Sequence, residues 1–306
     1  MKCKILLSLL LTLITYGCFA QKITVAGVVY NSKDQKPIAY TNIYVKGENR
    51  YFDTDENGRF TVEASPEDTL SFSCIGYTLR SMTVSDFAKI KGAVLLDEIT
   101  YTLQEVVVSN AQPKKFGISA AKQTRSFAGA QMSDSYEVAT QIEIPAGIKQ
   151  FRITKVFFRQ KNFSAENRLR LHIYSADANG IPGEELLKKQ VIIDEKDFKD
   201  GNLEIDVSDQ DIVLTNNVFF VGVQWITMHN FEYAKGRKND IGLGETSTID
   251  SRLTYRRGQG VNHAWYVEYE SGIYIPGNAK GNKAVVPIQL KGKPINILAS
   301  VEILAL

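Results

Sequence analysis

Cysteine, histidine and proline are scarce in this 306-residue chain, which contains three, three and eight of them. So few cysteines exclude a fold held by several disulfides, and so few prolines exclude a collagen-like repeat. Hydrophobic residues make up 44% and charged residues 23% of the chain, which excludes an intrinsically disordered protein. At about 100–200 residues per domain, the length predicts two domains.

Long apolar runs are also absent, apart from one near the N-terminus at residues 5–14. Lys2 and Lys4 precede this run, and Cys18 and Ala20 place small residues at positions −3 and −1 of a cleavage site. This order is typical of a secretory signal peptide, and about ten apolar residues are too few to cross a ~30 Å hydrocarbon core as a helix. We therefore predict cleavage after Ala20 and export to the periplasm, the outer membrane or the cell surface.

Cys18 allows an alternative mature N-terminus. In this alternative the protein is a lipoprotein whose first residue is the acylated Cys18. Lipoprotein signals usually carry leucine three positions before that cysteine and a small residue two positions before it. Thr15 and Tyr16 occupy those places here. Cleavage after Ala20 is therefore the favoured prediction, and a lipid anchor on Cys18 is the alternative.

Removal of the signal peptide, residues 1–20, leaves a mature chain without an excess of either charge. It takes away two lysines and no acidic residue, so 34 basic and 34 acidic side chains remain. Nucleic acids and anionic membrane surfaces both select a basic excess. The composition therefore indicates no nucleic-acid partner, and no transmembrane helix is predicted in the mature chain.

Cys74 is the one cysteine of the mature chain, so no intramolecular disulfide can form. It lies in the alternating segment L-S-F-S-C-I at residues 70–75. Such alternation predicts a β-strand, and a small buried side chain at Cys74 rather than a nucleophile.

Short alternating segments separated by turn residues extend from residue 23 to residue 108, with almost no helical periodicity. The D-E-N-G sequence at residues 55–58 is a strong hairpin signal, because asparagine and glycine adopt positive φ angles at low cost. One short helix is predicted at residues 86–90. Strands are predicted at residues 23–30, 40–46, 50–53, 59–63, 70–75, 78–84, 93–97 and 103–108, a spacing that favours an antiparallel β-sandwich.

Four segments carry a resemblance to a known family: V-A-G-V-V at 25–29, K-P-I-A-Y-T-N-I at 36–43, T-D-E-N-G-R-F at 54–60 and L-S-F-S-C-I-G-Y at 70–77. Their order and spacing resemble the carboxypeptidase-regulatory-like domain found before the plug of TonB-dependent outer-membrane transporters. The segment L-Q-E-V-V-V at 103–108 looks like the strand that joins this domain to the plug. The resemblance implies a seven-stranded, transthyretin-like Greek-key sandwich over residues 21–108, and it implies no catalysis.

The rest of the chain is too short for such a transporter. A plug and a barrel of some 22 strands, at roughly ten residues each, need several hundred residues. Only 198 residues follow Val108. The chain is therefore not predicted to be the transporter itself.

A second β domain is predicted at residues 136–306, after a semi-flexible linker at 109–135. Within 167–175, leucine and isoleucine alternate with polar residues, which predicts a strand with one solvent-exposed face; these polar residues are Arg168, Arg170, His172 and Tyr174. The pattern favours a larger, jelly-roll-like sandwich, so the whole mature chain is predicted to be all-β. Its strands are predicted at 136–144, 151–160, 169–175, 190–193, 203–207, 218–226, 264–269, 285–290 and 295–304.

Two segments match part of a metal-binding motif, but neither match is complete. His229 and Glu232 have the H-x-x-E spacing of zinc carboxypeptidases, with His263 as the remaining ligand, but they lie among strands and loops. Residues 53–58 match the first half of a calcium loop, but Ala64 stands where the bidentate glutamate is required. No catalytic residue, metal or cofactor is predicted.

The least regular part of the second domain, residues 229–264, combines aromatic and cationic side chains. Aromatic residues and arginines on loops above a rigid sandwich are suited to gripping sugars or peptides. The predicted ligand-binding residues are Tyr233, Tyr255, Arg256, Arg257 and Trp265.

These patterns predict an exported, non-enzymatic binding or accessory module whose partner is an outer-membrane protein or a glycan or peptide ligand. The sequence indicates no particular oligomeric state. The alternative is a glycan-binding accessory protein of an outer-membrane nutrient-uptake system. A hydrolase that uses an acidic pair such as Glu268 and Glu270 is a third, less favoured hypothesis.

Overall fold

A computed structural model describes most of the chain after the first twenty-one residues. The described residues are 22–101, 111–118, 125–128, 136–162, 168–199, 201–226, 242–247, 253–257, 264–269, 272–274 and 293–306. They form β-strands with one short α-helix and a few 3₁₀ turns, as the all-β prediction requires. No helix of the described residues is long and apolar enough to span a membrane.

The first sandwich has seven strands, the number that the family resemblance implies. They are β1 (Ile23–Asn31), β2 (Asn42–Val45), β3 (Arg50–Asp53), β4 (Arg59–Ala64), β5 (Thr69–Ser73), β6 (Arg80–Thr83) and β7 (Ala93–Leu96). One sheet has the order β4-β1-β7 and the other β3-β2-β5-β6. Helix α1 (Val84–Phe87) follows β6 and continues as a 3₁₀ turn (Ala88–Ile90).

Local sequence explains why this sandwich is predictable. Strand β4 alternates between exposed and buried positions, and its buried side includes Phe60 and Val62. The hairpin before it is held by Asp55, whose carboxylate accepts hydrogen bonds from the backbone N–H groups of Asn57 and Arg59, both at 2.8 Å. Gly58 has φ +70°, the conformation that the turn needs. The predicted strand at 103–108 lies outside the described residues.

The second sandwich is larger, and it consists of two sheets. In chain order its strands are β8 (Lys114–Gly117), β9 (Arg125–Ala128), β10 (Glu137–Glu143), β11 (Phe151–Asn162), β12 (Leu169–Ala176), β13 (Pro182–Glu185), β14 (Ile192–Ile193), β15 (Phe198–Lys199), β16 (Asn202–Asp206), β17 (Ile212–Leu214), β18 (Val218–Trp225), β19 (Gly242–Thr246), β20 (Thr254–Arg257), β21 (Tyr266–Tyr269), β22 (Gly272–Tyr274), β23 (Asn296–Ile297) and β24 (Ala299–Ala305). Its core contains Phe151 and Phe158 from β11, packed with Leu171 of β12 and Val223 of β18.

The eight-stranded sheet follows the order β13-β12-β18-β10-β20-β21-β22, with β14 also paired to β12. The nine-stranded sheet follows the order β15-β16-β11-β19-β23. Around this path, β17 and β24 pair with β11, β8 pairs with β24, and β9 pairs with β19. The predicted strand at 285–290 lies outside the described residues.

The stretch predicted as a linker, residues 109–135, contains strands β8 and β9. Both pair with strands of the second sandwich, for example Phe116 opposite Val301 and Phe127 opposite Leu243. Their sequences carry few apolar residues, so the periodic pattern that marks other strands is missing. Main-chain pairing with distant strands places these residues with the second sandwich, while the exact domain boundary stays a prediction.

The solvent-exposed face predicted for β12 is wrong. Arg170, His172 and Tyr174 have exposed fractions of 4%, 7% and 5%. Their side chains lie on the face of the eight-stranded sheet opposite the core, which we call the outer face. The first sandwich docks there, because Arg170 hydrogen-bonds to Asp53 and to the backbone carbonyl of Tyr40. One alternating strand is therefore buried on both sides.

Candidate functional site: a cavity between the two sandwiches

A cavity of about 560 Å³ lies between the first sandwich and the outer face of the second, and we call it the first cavity. The first sandwich contributes Asn42, Tyr51, Ser73 and Tyr101, together with the turn formed by residues 74–77. The second contributes Glu137, Arg170, His172, Tyr174, Glu185, Gln224 and Arg257. Neither sandwich alone encloses it.

Four polar side chains form a row across the floor of this cavity. Strand register places Arg170 of β12 opposite Gln224 of β18, which lies opposite Glu137 of β10. Glu137 in turn lies opposite Arg257 of β20. Side chains directly opposite on one face of a sheet are close enough to interact, so the row places an amide and a carboxylate between two cations.

Arg170 ties the two sandwiches together. Its Nη2 donates to Asp53 Oδ1 at 3.0 Å and to the carbonyl of Tyr40, and its Nη1 donates to Gln224 Oε1. The exposed fractions of the two charged side chains are 5% and 0%. A buried charge is tolerated only when it is paired and hydrogen-bonded, so this contact fixes how the two sandwiches dock.

Gln190 and Cys74 extend the same junction. The Gln190 amide donates to the carbonyl of Ala39 at 3.1 Å, and its Oε1 accepts from Arg170 Nε at 3.0 Å. The Cys74 thiol lies 3.6 Å from that oxygen. Burial raises the pKa of Cys74 to about 11. The thiol is therefore protonated at neutral pH, which favours the predicted packing role over a nucleophilic one.

Glu137 is the most deeply buried acid of the site, with an exposed fraction of 0%. It accepts from the Tyr174 hydroxyl at 2.6 Å and from Arg257 Nε at 2.7 Å. Burial acts to raise its pKa, but Arg257, His172 and the Tyr174 hydroxyl outweigh burial and hold the pKa of this carboxyl below its usual range. The same environment raises the pKa of Tyr174, by burial first and by the Glu137 charge second. Glu137 is thus ionised and Tyr174 neutral at physiological pH.

The lowered pKa of Glu137 predicts an acid-sensitive part of the stability. A carboxyl whose folded pKa lies below its unfolded value of 4.5 stabilises the fold fully above pH 4.5, and that contribution is lost as the pH falls through the folded pKa. Thermal unfolding should show Glu137→Gln well below the wild type at pH 7, with the gap narrowing towards pH 3. The matched control is Glu56→Gln at an exposed hairpin position. Parallel pH profiles for wild type and Glu137→Gln would contradict this account.

The remaining contact between ionisable side chains of the cavity joins His172 and Glu185. His172 Nδ1 lies 2.6 Å from Glu185 Oε2, and the imidazole stacks on Tyr174 with a 5.3 Å centroid separation. The other oxygen of Glu185 accepts from the backbone N–H groups of Ile173, Leu186 and Leu187. Each charged side chain that lines the cavity therefore has an oppositely charged or hydrogen-bonded partner.

Gln224 differs from these residues. Its Oε1 accepts from Arg170 and lies 3.3 Å from His172 Nε2, whereas its amide nitrogen makes no hydrogen bond with the described residues. The side chain is 7% exposed and lines the cavity. The amide nitrogen does not belong to the fully buried atoms that lack a partner, so it is accessible from the cavity and can donate a hydrogen bond to a ligand oxygen.

Of the predicted ligand-binding residues that the structure describes, only Arg257 lines the cavity. Its guanidinium lies 4.4 Å from the ring centroid of Trp265. Trp265 also meets the edge of Tyr174, at 5.9 Å between centroids. Tyr255 is on the outer face but is 5% exposed, packed edge-to-face on Phe220. Tyr233 lies outside the described residues.

The sequence placed Arg256 on a loop, whereas the structure places it inside the second sandwich. It lies on strand β20, has an exposed fraction of 0%, and its Nη2 donates to Glu245 Oε1 at 2.9 Å. Nη1 donates to the carbonyl of Ile295 at 2.9 Å, and Nε lies 3.3 Å from Glu268 Oε2. Arg256 and Arg257 point to opposite faces because neighbouring residues of a strand alternate. Arg256 stabilises the interior and does not reach the cavity.

The metal patterns find no support among the described residues. His229, Glu232 and His263 lie outside them, and the described part of the chain contains no group of three potential metal ligands. In the hairpin pattern, Asp53 pairs with Arg170 while Asp55 holds the turn.

The sequence did not identify these cavity-lining residues as site residues: Glu137, Arg170, His172, Tyr174, Glu185 and Gln224. The polar alternation of β12 was visible, but nothing local in the sequence identifies what covers that face. Gln224 lies in the apolar run of β18, where a single amide gives no periodic signal.

Comparison with known proteins identifies the first sandwich. Residues 25–108 match the sequence model of the CarboxypepD_reg-like domain family. The chain therefore carries a CarboxypepD_reg-like domain, as the motifs of residues 25–77 predict. A comparison with curated protein sequences gave no match.

Among solved structures, the chain is similar to the cysteine protease and lectin-like domains of Cwp84, a surface layer associated protein of Clostridium difficile. That similarity has 11% identity and a TM-score of 0.38, over 93% of this chain and 59% of the other. BcpA, the major pilin subunit of Bacillus cereus, gives 13% identity and a TM-score of 0.17, over 78% of this chain and 65% of the other. The chain thus spans less than two-thirds of either protein.

A Bacteroides uniformis protein described as a candidate carbohydrate-binding protein is also similar. It gives 6% identity and a TM-score of 0.19, over 92% of this chain and 98% of the other. TM-scores below 0.5 carry no argument about function.

Proposed function

We propose that this protein is an exported, non-enzymatic binding protein that holds a saccharide in the first cavity. The signal-peptide pattern of residues 1–20 supports export. The observation that carries the proposal is the cavity itself: its charged side chains are paired within the protein, while the amide nitrogen of Gln224 makes no hydrogen bond with the described residues and can donate to a ligand.

The lining suits an uncharged ligand rich in hydroxyl groups. The five ionisable side chains Glu137, Arg170, His172, Glu185 and Arg257 are paired within the protein, so none is left to balance a ligand charge. Tyrosine rings offer apolar faces for the C–H surface of a sugar, and the tyrosine hydroxyls offer polar edges. A volume of about 560 Å³ falls in the range of small-molecule sites.

The carboxylates support binding rather than hydrolysis. A general acid or nucleophile needs an oxygen that can reach the substrate. The oxygens of Glu137 and Glu185 instead accept hydrogen bonds from protein groups. Glu268, one member of the acidic pair that suggested a hydrolase, forms an ion pair with Arg256.

More specifically, the protein would act as an accessory protein of an outer-membrane nutrient transporter. The CarboxypepD_reg-like domain supports it, because the motifs resemble the form found ahead of transporter plugs. In this account the domain supplies one wall of the ligand cavity, and an outer-membrane partner would receive the saccharide.

Glycan-array binding by the mature chain, residues 21–306, tests the proposal, followed by calorimetry on the best ligands. Gln224→Glu keeps an acceptor for Arg170 but removes the amide donor, so affinity should fall about tenfold, the worth of one good hydrogen bond. Gln141→Glu, on β10 and outside the cavity lining, is the matched control and should bind like the wild type. Blank arrays, or equal affinities for the two variants, would refute the proposal.

A further inference from the structure

A second cavity of about 620 Å³ adjoins the first, and it too lies between the sandwiches. Asn31 and Glu98 of the first sandwich line it, together with Lys189 and Gln190 of the second. Both cavities are bordered by the turn at residues 74–77 and by Ile99 and Tyr101. They are therefore neighbours on the two sides of one turn.

The turn at residues 74–77 borders both cavities and contacts the second sandwich. Gly76 has φ +89°, and a Cβ on it would lie 2.6 Å from the carbonyl oxygen of Lys188, so the backbones of the two sandwiches meet there. Ile75 packs against the core of the second sandwich. Ile99 and Tyr101 also border both cavities but are 42% and 40% exposed. Tyr101 thus offers an aromatic surface at the common rim.

We propose that the ligand is an extended oligosaccharide that occupies both cavities and crosses the rim at Tyr101. This inference rests on the proposed function, because it assigns the second cavity to the same ligand. Each cavity has the volume of a small-molecule site, so a short saccharide fills one and leaves the other vacant. An exposed tyrosine shared by the two is a stacking surface for the sugar unit between them.

The second cavity also contains a donor that the protein does not use. Lys36 pairs with Asp34 at 2.8 Å, and Lys188 pairs with Asp211 at 3.8 Å. Lys189 is exposed, and its ammonium forms no ion pair within the described part of the chain. Its N–H groups can therefore donate to hydroxyl oxygens of the far end of the oligosaccharide.

Calorimetry with oligosaccharides of two, four and six units, prepared from mannan, xylan and β-glucan, tests this inference on the mature chain. For the series that binds, affinity should rise about tenfold or more between two and six units. In Lys189→Ala, the increase in affinity from two to six units should mostly disappear, while the affinity for the two-unit ligand should equal that of the wild type. Gln224→Glu should weaken every length by a similar factor, because Gln224 lines only the first cavity. Lys196→Ala, at an exposed lysine that lines neither cavity, is the matched control.

The outcomes separate the two proposals. If ligands of two and six units bound with equal affinity, and Gln224→Glu still bound them more weakly than the wild type, the extended ligand would be refuted. The proposed saccharide site in the first cavity would stand. A length-dependent rise that survives in Lys189→Ala would also overturn the extension through the second cavity. No binding in any series or on the array would overturn both.

Discussion

Replacement of Arg170 by methionine should lower the free energy of unfolding by about 3–5 kcal/mol, the usual cost of breaking a buried ion pair from one side. The substitution leaves the Asp53 carboxylate, with an exposed fraction of 0%, without its guanidinium partner. It also removes the hydrogen bonds to Tyr40, Gln190 and Gln224 that cross or border the domain junction. The melting temperature should fall on the order of 10 °C.

Two further variants separate the buried pair from a general loss of charge. Lys36→Met breaks an ion pair whose side chains are 80% and 41% exposed, so its melting temperature should stay close to that of the wild type. The double variant Arg170→Met with Asp53→Asn removes both charges and should recover part of the loss. An Arg170→Met protein that melts like the wild type would show that this contact does not hold the sandwiches together.

Replacement of Arg256 by methionine should be about as destabilising, and it should leave ligand affinity unchanged. Among the described residues, Arg256 is the largest side chain with less than 2% exposure, and without it Glu245, 2% exposed, loses its guanidinium partner. The expected loss is again about 3–5 kcal/mol. Urea unfolding measures it, and calorimetry at low temperature measures the affinity of the remaining folded protein.

Arg59→Met, at an exposed position of β4, is the control for this variant and should leave both quantities unchanged. The result also decides between two roles of Arg256. If Arg256→Met were stable and had lost ligand binding, the sequence-based hypothesis of a binding arginine would be right and the interior role wrong.

The first sandwich was predictable because its signals are local. Strand β3 has the predicted bounds, and β4 differs from its prediction by one residue, because alternation and the D-E-N-G turn lie within a few residues of each other. The family resemblance rests on the same segments. One of them, residues 70–77, also supplies the turn that borders both cavities.

The candidate site was not predictable because its signals are distant in the sequence. Arg170 and Asp53 are separated by 117 positions, and Cys74 and Gln190 by 116. An alternating strand predicts a polar face, but only the docking of another domain decides whether that face meets water. Whether an arginine side chain lies in the core or in the site is equally hard to predict from the sequence. Arg256 and Arg257 are neighbours in sequence, yet they lie on opposite faces of one sheet.

The most direct test of the account is to locate the bound saccharide, by determining a crystal structure of the mature chain soaked with the strongest array ligand. The account predicts ligand density in the first cavity, with a ligand oxygen within hydrogen-bond distance of the Gln224 amide nitrogen and a sugar unit against Tyr101. Density around Tyr233, with both cavities empty, would contradict it and would return the site to the region 229–264 that the sequence alone suggested.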